Sequence, residues 1–185
     1  MEFLPELRLG WSNGWVYLVF FYSLFGLFLL TCSKPIIKKL YSVKGWSRRE
    51  YIFSALGKPF SLVILGLIVF SSLKFSVFVF WFGSAVYLAG FIIMFIALFT
   101  YRTVPADQPV QNGIYQLSRN PQWLGLVLMF AGTCVACGNG LALLFFSVGI
   151  VFYHFRILGE ERACLKSYGQ PYKDYCDSVP RYFLF

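Results

Sequence analysis

Apolar runs dominate the chain, and the polar residues between them predict five membrane-spanning helices. Residues 15–32 are 18 uncharged positions, enough to cross a bilayer core at about 1.5 Å per residue. A basic loop follows from Lys34 to Arg49. A second run covers about 51–73 and is interrupted by Lys58-Pro59. The lysine is near enough to the basic end to snorkel, and the proline is expected to kink the helix or start it afresh. The third run, 75–100, has 26 residues without a charge and can cross with tilt.

From Asn120 to Phe155 no residue carries a formal charge, yet 36 residues are too many for one crossing. Gly138-Asn139-Gly140 sits near the middle and predicts a turn between two short helices, about 121–137 and 141–157. The tail from Glu160 reads as an amphipathic helix stopped by Gly169, followed by a second short element. Such a piece lies on the membrane face or caps a pocket. The expected fold is one all-α, polytopic membrane domain over 1–185. Three spans occupy 1–100, and a C-terminal helical hairpin with an amphipathic cytoplasmic tail occupies 101–185.

Charge gives this layout a direction. The loop 33–50, the segment 101–120 and the tail from Arg156 fall on one side of a five-span arrangement and carry 13 of the 16 Lys and Arg. That side is expected to be cytoplasmic, with the N-terminus outside and the C-terminus inside. The acidic start, Met1-Glu-Phe-Leu-Pro-Glu, lacks a basic n-region, so the first span is expected to be retained rather than cleaved. The end, Arg181-Tyr-Phe-Leu-Phe, carries no prenylation box.

Composition agrees with a membrane protein: 58% of residues are hydrophobic and only 13% charged, too greasy for a soluble domain of this size. The net charge of +8 sits in inter-span loops, which speaks against nucleic acid as a partner. Five cysteines, at 32, 134, 137, 164 and 176, imply no disulfide framework. Cys134 and Cys137 form a CxxC, but zinc needs about four ligands and the lone His154 cannot complete a set. No metal is expected.

The chemistry is sought where polar groups border apolar runs. Arg119-Asn120 precedes Pro121, a residue suited to the first turn of a helix because its missing N–H is not needed there. Free N–H groups beside a guanidinium favour an anion such as a carboxylate or phosphate. The plain alternative is an arginine anchoring a span at the head groups. One crossing later, Glu160-Glu161 forms a carboxylate pair suited to a cationic amine or ribose hydroxyls. The alternative is pairing with Arg156 or Arg162 in water. His154 lies seven residues before Glu161, nearly on the same face. Alone, such a histidine is commonly a hydrogen-bonded packing residue. A ligand with both a carboxylate and an ammonium matches an anion site and an acidic pair flanking one cleft. S-adenosylmethionine has both, plus a sulfonium that aromatic faces can solvate.

In order along the chain stand Gly113, Tyr115, Arg119, Asn120, Pro121, Trp123 and Gly125, then Glu160, Glu161, Tyr168, Gly169, Tyr172, Tyr175, Val179, Pro180 and Arg181. This set resembles the membrane methyltransferases that include isoprenylcysteine carboxyl methyltransferases and phospholipid N-methyltransferases, over roughly residues 100–182. The resemblance implies S-adenosylmethionine bound on the cytoplasmic side. Gly113, Tyr115, Arg119, Asn120, Pro121, Gly125, Glu160 and Glu161 are its expected cofactor-binding residues, and Arg119, Glu161 and His154 the candidate catalytic ones. It further implies a lipid or lipidated acceptor: a prenylcysteine carboxylate, a lipid amine or a thiol. Asn120 replaces the histidine of the prenylcysteine branch and Trp123 its tyrosine. Gly83 and Gly90 stand in the third span, but without the Gly-x-Gly of the phospholipid enzymes.

Two other readings stay open. Glu161-Arg-Ala-Cys164, Tyr168-Gly169 and Tyr175-Cys176 look somewhat like the tail of sterol reductases, which implies NADPH and hydride transfer. A non-catalytic membrane adaptor would leave the Arg119, Glu160 and Glu161 set without a ligand.

Overall fold

The computed structural model describes every residue except Leu4, Lys44, Ser76, Leu184 and Phe185. Seven α-helices appear among the described residues: α1 (Trp15–Leu30), α2 (Lys34–Leu40), α3 (Arg48–Phe70), α4 (Phe78–Thr103), α5 (Pro121–Ala136), α6 (Gly140–Tyr168) and α7 (Gln170–Ser178). A 3-10 turn over Gly113–Gln116 leads into α5. No β-strand is present among these residues, only isolated bridges.

α3, α4 and α6, with 23, 26 and 29 residues, are long and apolar enough to cross a membrane. α1 and α5 are apolar but have 16 residues each, about 24 Å of helix against a hydrocarbon core of about 30 Å. The five runs therefore resolve into three helices of spanning length and two shorter apolar ones.

Local chemistry moves some boundaries. α3 begins at Arg48 because Ser47 and Glu50 form a capping box, each side chain meeting the other's backbone N–H. It then runs through Pro59 without restarting. α2 forms within the expected loop, with Pro35 in its first turn. α6 continues unbroken from the hairpin into the charged tail until Gly169, whose φ of +63° no residue with a Cβ adopts easily.

α4 and α5 cross antiparallel at backbone contact. Gly83 faces Gly132, and Gly90 faces Gly125, each pair member seven residues from the next. A Cβ at Gly90 would sit 2.6 Å from the Gly125 carbonyl oxygen, and one at Gly132 would sit 2.4 Å from the Tyr87 nitrogen. Small residues at such a crossing let two helices pack without a layer of side chains between them. α3 and α6 also run antiparallel, joined by stacked rings such as Phe53 on Phe155 at 4.3 Å and Phe60 on Phe152 at 5.1 Å. α1 closes the bundle through Phe21 and Phe28, which pack with Tyr87, Met94, Leu98 and Met129.

At one end, the N-terminal segment straps the loops together. Glu2 donates its N–H to the Gly138 carbonyl, Gly14 to Ser71, and Gly140 returns a bond to Glu2. Buried Asn139 caps α6 by accepting from the Ala142 N–H at 2.8 Å and donates to Ser71 Oγ at 2.8 Å. Cys134 and Cys137 are free thiols buried at this end of α5. The opposite end carries the basic loop, the start of α5 and the tail, and it holds the main cavity.

Candidate functional site

Asn120 precedes α5 as its N-cap position, yet its side chain does not cap the helix. Its Nδ2 instead donates to Glu161 Oε1 at 3.0 Å and to the Arg181 carbonyl at 3.3 Å. Ser118, fully buried, braces the turn by donating to the Arg181 carbonyl at 3.0 Å and accepting the Asn120 N–H at 3.2 Å. The Arg119 N–H donates to the Pro180 carbonyl at 3.0 Å. Residues 118–120 and 180–181 are thus tied side by side.

Glu161, 9% exposed, lies at the centre of this knot. Its Oε2 accepts from Arg181 Nε at 2.9 Å, with Arg181 Nη2 also at 2.9 Å. The hydrogen bond that Arg181 donates to Glu161 holds its guanidinium above its ordinary basicity. Arg119 Nε stands 3.2 Å from Glu161 Oε1, close enough for an ion pair but not aligned for a hydrogen bond. Arg119 Nη1 donates to the Cys176 carbonyl at 2.8 Å. One carboxylate between two guanidiniums and an amide is well compensated, which a buried charge requires.

Beside this knot opens a cavity of about 640 Å³. Its walls come from α2, the end of α4, the segment leading into α5, the start of α5, the second half of α6 and α7. Arg119, Asn120, Pro121, Glu160, Glu161 and Tyr115 all line it, so the structure brings together six of the nine sequence-predicted site residues. Glu160 is half-exposed and paired with Arg156 one turn back at 2.8 Å, an arrangement of ordinary surface strength. Arg156 also lies over the Trp46 ring at 5.5 Å.

Tyr115 is buried, accepts from Gln122 Nε2 at 2.8 Å through its hydroxyl, and lends its carbonyl to the Tyr175 hydroxyl at 2.7 Å. Burial pushes the phenols of Tyr115, Tyr172 and Tyr175 well above the ordinary tyrosine value, so all three are neutral donors at physiological pH. Lys39 reaches in from α2, donating to the Gln108 carbonyl at 2.6 Å and lying over the Tyr101 ring at 5.0 Å. Burial pushes its ammonium below the usual lysine range.

The remaining three predicted residues lie elsewhere. His154 is outside the cavity wall, with Nδ1 2.7 Å from the Tyr182 hydroxyl. The Tyr182 ring in turn packs on Trp123, which does line the cavity, at 4.9 Å. Gly125 belongs to the crossing of α4 and α5, and Gly113, with φ +57°, turns the chain over Thr100. Neither reaches the wall.

Several wall or support residues were not singled out by the sequence. Lys38, Lys39 and Trp46 line the cavity from the basic loop. Arg181 belongs to the family-like pattern, but its grip on Glu161 is a contact across a turn. Glu50, 2% exposed, sits under Arg162 at 2.7 Å, in space left by the missing side chain of Gly159. A carboxylate three residues after a serine is the capping signal that could have found it.

A family model described as phospholipid methyltransferase matches residues 61–171, more than half of the chain. The matched stretch takes in Arg119-Asn120-Pro121, Glu160 and Glu161 and stops before Arg181. No curated protein and no solved structure matches the chain.

Proposed function

The chain belongs to the phospholipid methyltransferase family, and on that premise we propose that it transfers a methyl group from S-adenosylmethionine to a lipid or lipidated acceptor at the cytoplasmic face of a membrane. The observation that carries this reading is the cavity of about 640 Å³ that gathers Arg119, Asn120, Glu160 and Glu161 on one wall among aromatic rings.

The donor set suits that cofactor. Arg119 lines the cavity with its Nε already paired to Glu161, and its guanidinium is the cation of this wall that would face an anionic group. Glu160 is the half-exposed carboxylate of the wall and faces an ammonium. Glu161, already engaged, acts through Arg119 and Asn120 by fixing their positions. Tyr101, Tyr115, Tyr168, Tyr172 and Trp123 supply faces that solvate a sulfonium. When bound, S-adenosylmethionine supplies a methyl group on positively charged sulfur, open to in-line displacement.

The protein's own contribution is alignment and exclusion of water. The acceptor atom has to be held within about 3–3.5 Å of the methyl carbon, and a rigid wall tied by the Glu161 knot serves that end. No dedicated base is assigned. Tyr115 is held neutral and His154 is engaged with Tyr182 outside the wall, so an amine acceptor enters as the free base, its proton left in bulk water before the site closes round it.

Topology fits the same reading. The N-terminal strap, the turn at 71–74 and the turn at 138–140 share one end of the bundle, and 13 of 16 Lys and Arg fall toward the other. We place five crossings in the membrane, the N-terminus outside and the cavity on the cytoplasmic side. A labelled-methyl assay over membrane lipids, prenylcysteines and small thiols tests the activity. Label entering one acceptor class supports it, and label entering none under conditions where the protein stays folded contradicts it.

A further inference from the structure

Lys58 lies ten residues into α3, roughly 15 Å from the helix start at 1.5 Å per residue. A charge at such depth in a spanning helix is costly unless it snorkels or serves a ligand. It is exposed and makes no hydrogen bond or ion pair among the described residues. Beside it, a crevice of about 50 Å³ opens between α3 and α6, lined by Ser54, Gly57, Lys58, Phe152, Tyr153 and Arg156. Its two charged residues are both cations, Lys58 and the Arg156 that Glu160 holds through Nε at 2.8 Å, and no carboxylate lines the crevice itself. Tyr153 and Arg156 also line the large cavity, so these two side chains stand between the two spaces.

We propose that this crevice is the lateral entrance of the acceptor from the bilayer, and that Lys58 holds the acceptor's phosphodiester there, with Arg156 facing it from α6. The inference rests on the methyl-transfer reading for its purpose and adds to it a binding residue and a route. The crevice has room for one phosphate group and not for a lipid, so the acyl chains stay in the membrane against the apolar faces of α3 and α6. The head group then points past Tyr153 and Arg156 into the cavity. A phosphodiester matches the uncompensated Lys58 at membrane depth, where charge-assisted hydrogen bonds are stronger than in water, with Arg156 as a second donor whose Nε is held by Glu160.

The full chain in detergent, titrated with dihexanoyl phosphatidylethanolamine and with dihexanoylglycerol, which lacks the phosphate, provides the test. Wild type is expected to bind the phospholipid at least tenfold more tightly than the glycerol lipid. Lys58→Met and Lys58→Gln should each erase that preference, Lys58→Arg should restore it, and S-adenosylhomocysteine affinity should stay within twofold throughout. Equal affinity for the two lipids in wild type overturns the proposal, as does an undiminished preference in both Lys58→Met and Lys58→Gln. Tighter binding of a prenylcysteine than of the phospholipid, unaffected by Lys58, overturns it as well. Phospholipid selectivity that depends on Lys58 in a protein that binds no S-adenosylhomocysteine supports the entrance and counts against methyl transfer.

Discussion

Arg181 and Glu161, twenty residues apart across the turn at Gly169, meet through a hydrogen bond of 2.9 Å from Nε to Oε2. That contact fastens the C-terminal segment to the end of α6 and, through the second carboxylate oxygen, to Arg119 and Asn120. The segment thereby braces Arg119, Asn120 and Glu161, which line the cavity.

Glu161→Gln should therefore act on stability and binding together. Two guanidiniums lose their counter-charge, and breaking a largely buried pair of this kind costs on the order of 3 kcal/mol. Thermal unfolding in detergent should show a marked fall in midpoint, and S-adenosylhomocysteine should bind more weakly by more than about 1 kcal/mol. A variant with the wild-type midpoint and affinity would remove Glu161 from the site.

Glu160→Gln separates binding from stability. Its pair with Arg156 is solvent-screened, so unfolding should shift by less than about 0.5 kcal/mol. Cofactor affinity should still fall about tenfold if the carboxylate meets a ligand ammonium, a charge-assisted bond of about 1.4 kcal/mol or more. Calorimetric titration of both forms checks this, and equal affinities would leave Glu160 as a surface carboxylate.

His154→Gln should lower the methyl-transfer rate less than about fivefold, because the imidazole packs against Tyr182 outside the wall. A general base contributes roughly 10²–10⁴. A loss in that range, with a pH profile shifted to match, would restore His154 as a catalytic residue.

The helix crossing gives a prediction free of the site. Gly90→Ala and Gly125→Ala each place a Cβ under 3 Å from the facing backbone, where nothing flexible can yield. α4 and α5 must separate, at a cost of about 1–3 kcal/mol each. Unchanged unfolding of both variants would mean that the helices do not touch at these glycines.

Alkaline stability should follow the buried tyrosines. Their folded values lie above the ordinary 10.0 through burial, so the protonated form is favoured in the fold. Stability from this source is complete below about pH 10 and is lost as pH rises further, because the unfolded chain ionises first. The unfolding midpoint should be flat in this respect up to about pH 10 and then decline. Tyr115→Phe should make the decline shallower, and an unaltered slope would show Tyr115 to be exposed.

The sequence made the membrane character and the two halves of the site legible for a simple reason. Arg119-Asn120-Pro121 and Glu160-Glu161 are neighbours in the chain and stand out beside uncharged runs. Their convergence was legible too, since one hairpin returns the chain over one crossing. What stayed hidden depends on contacts without a local period. The place of Lys39 in the wall follows from how α2 lies on the bundle, and the grip of Arg181 follows from the turn at Gly169. Proline removes one backbone bond, yet packing of α3 on α6 on either side of Pro59 keeps the helix whole. Gly83 and Gly90, like Gly125 and Gly132, stand seven residues apart in the sequence, a spacing that carries no message by itself. Only the antiparallel crossing gives those spacings a meaning.

Cofactor identity is the point on which the functional reading turns, and calorimetric titration of the purified chain with S-adenosylhomocysteine and, separately, with NADPH addresses it. The expected result is saturable one-site binding of S-adenosylhomocysteine, weakened in Glu160→Gln, with no heat from NADPH. Binding of NADPH alone would contradict methyl transfer in favour of a reductase, and binding of neither would leave the cavity without the proposed cofactor.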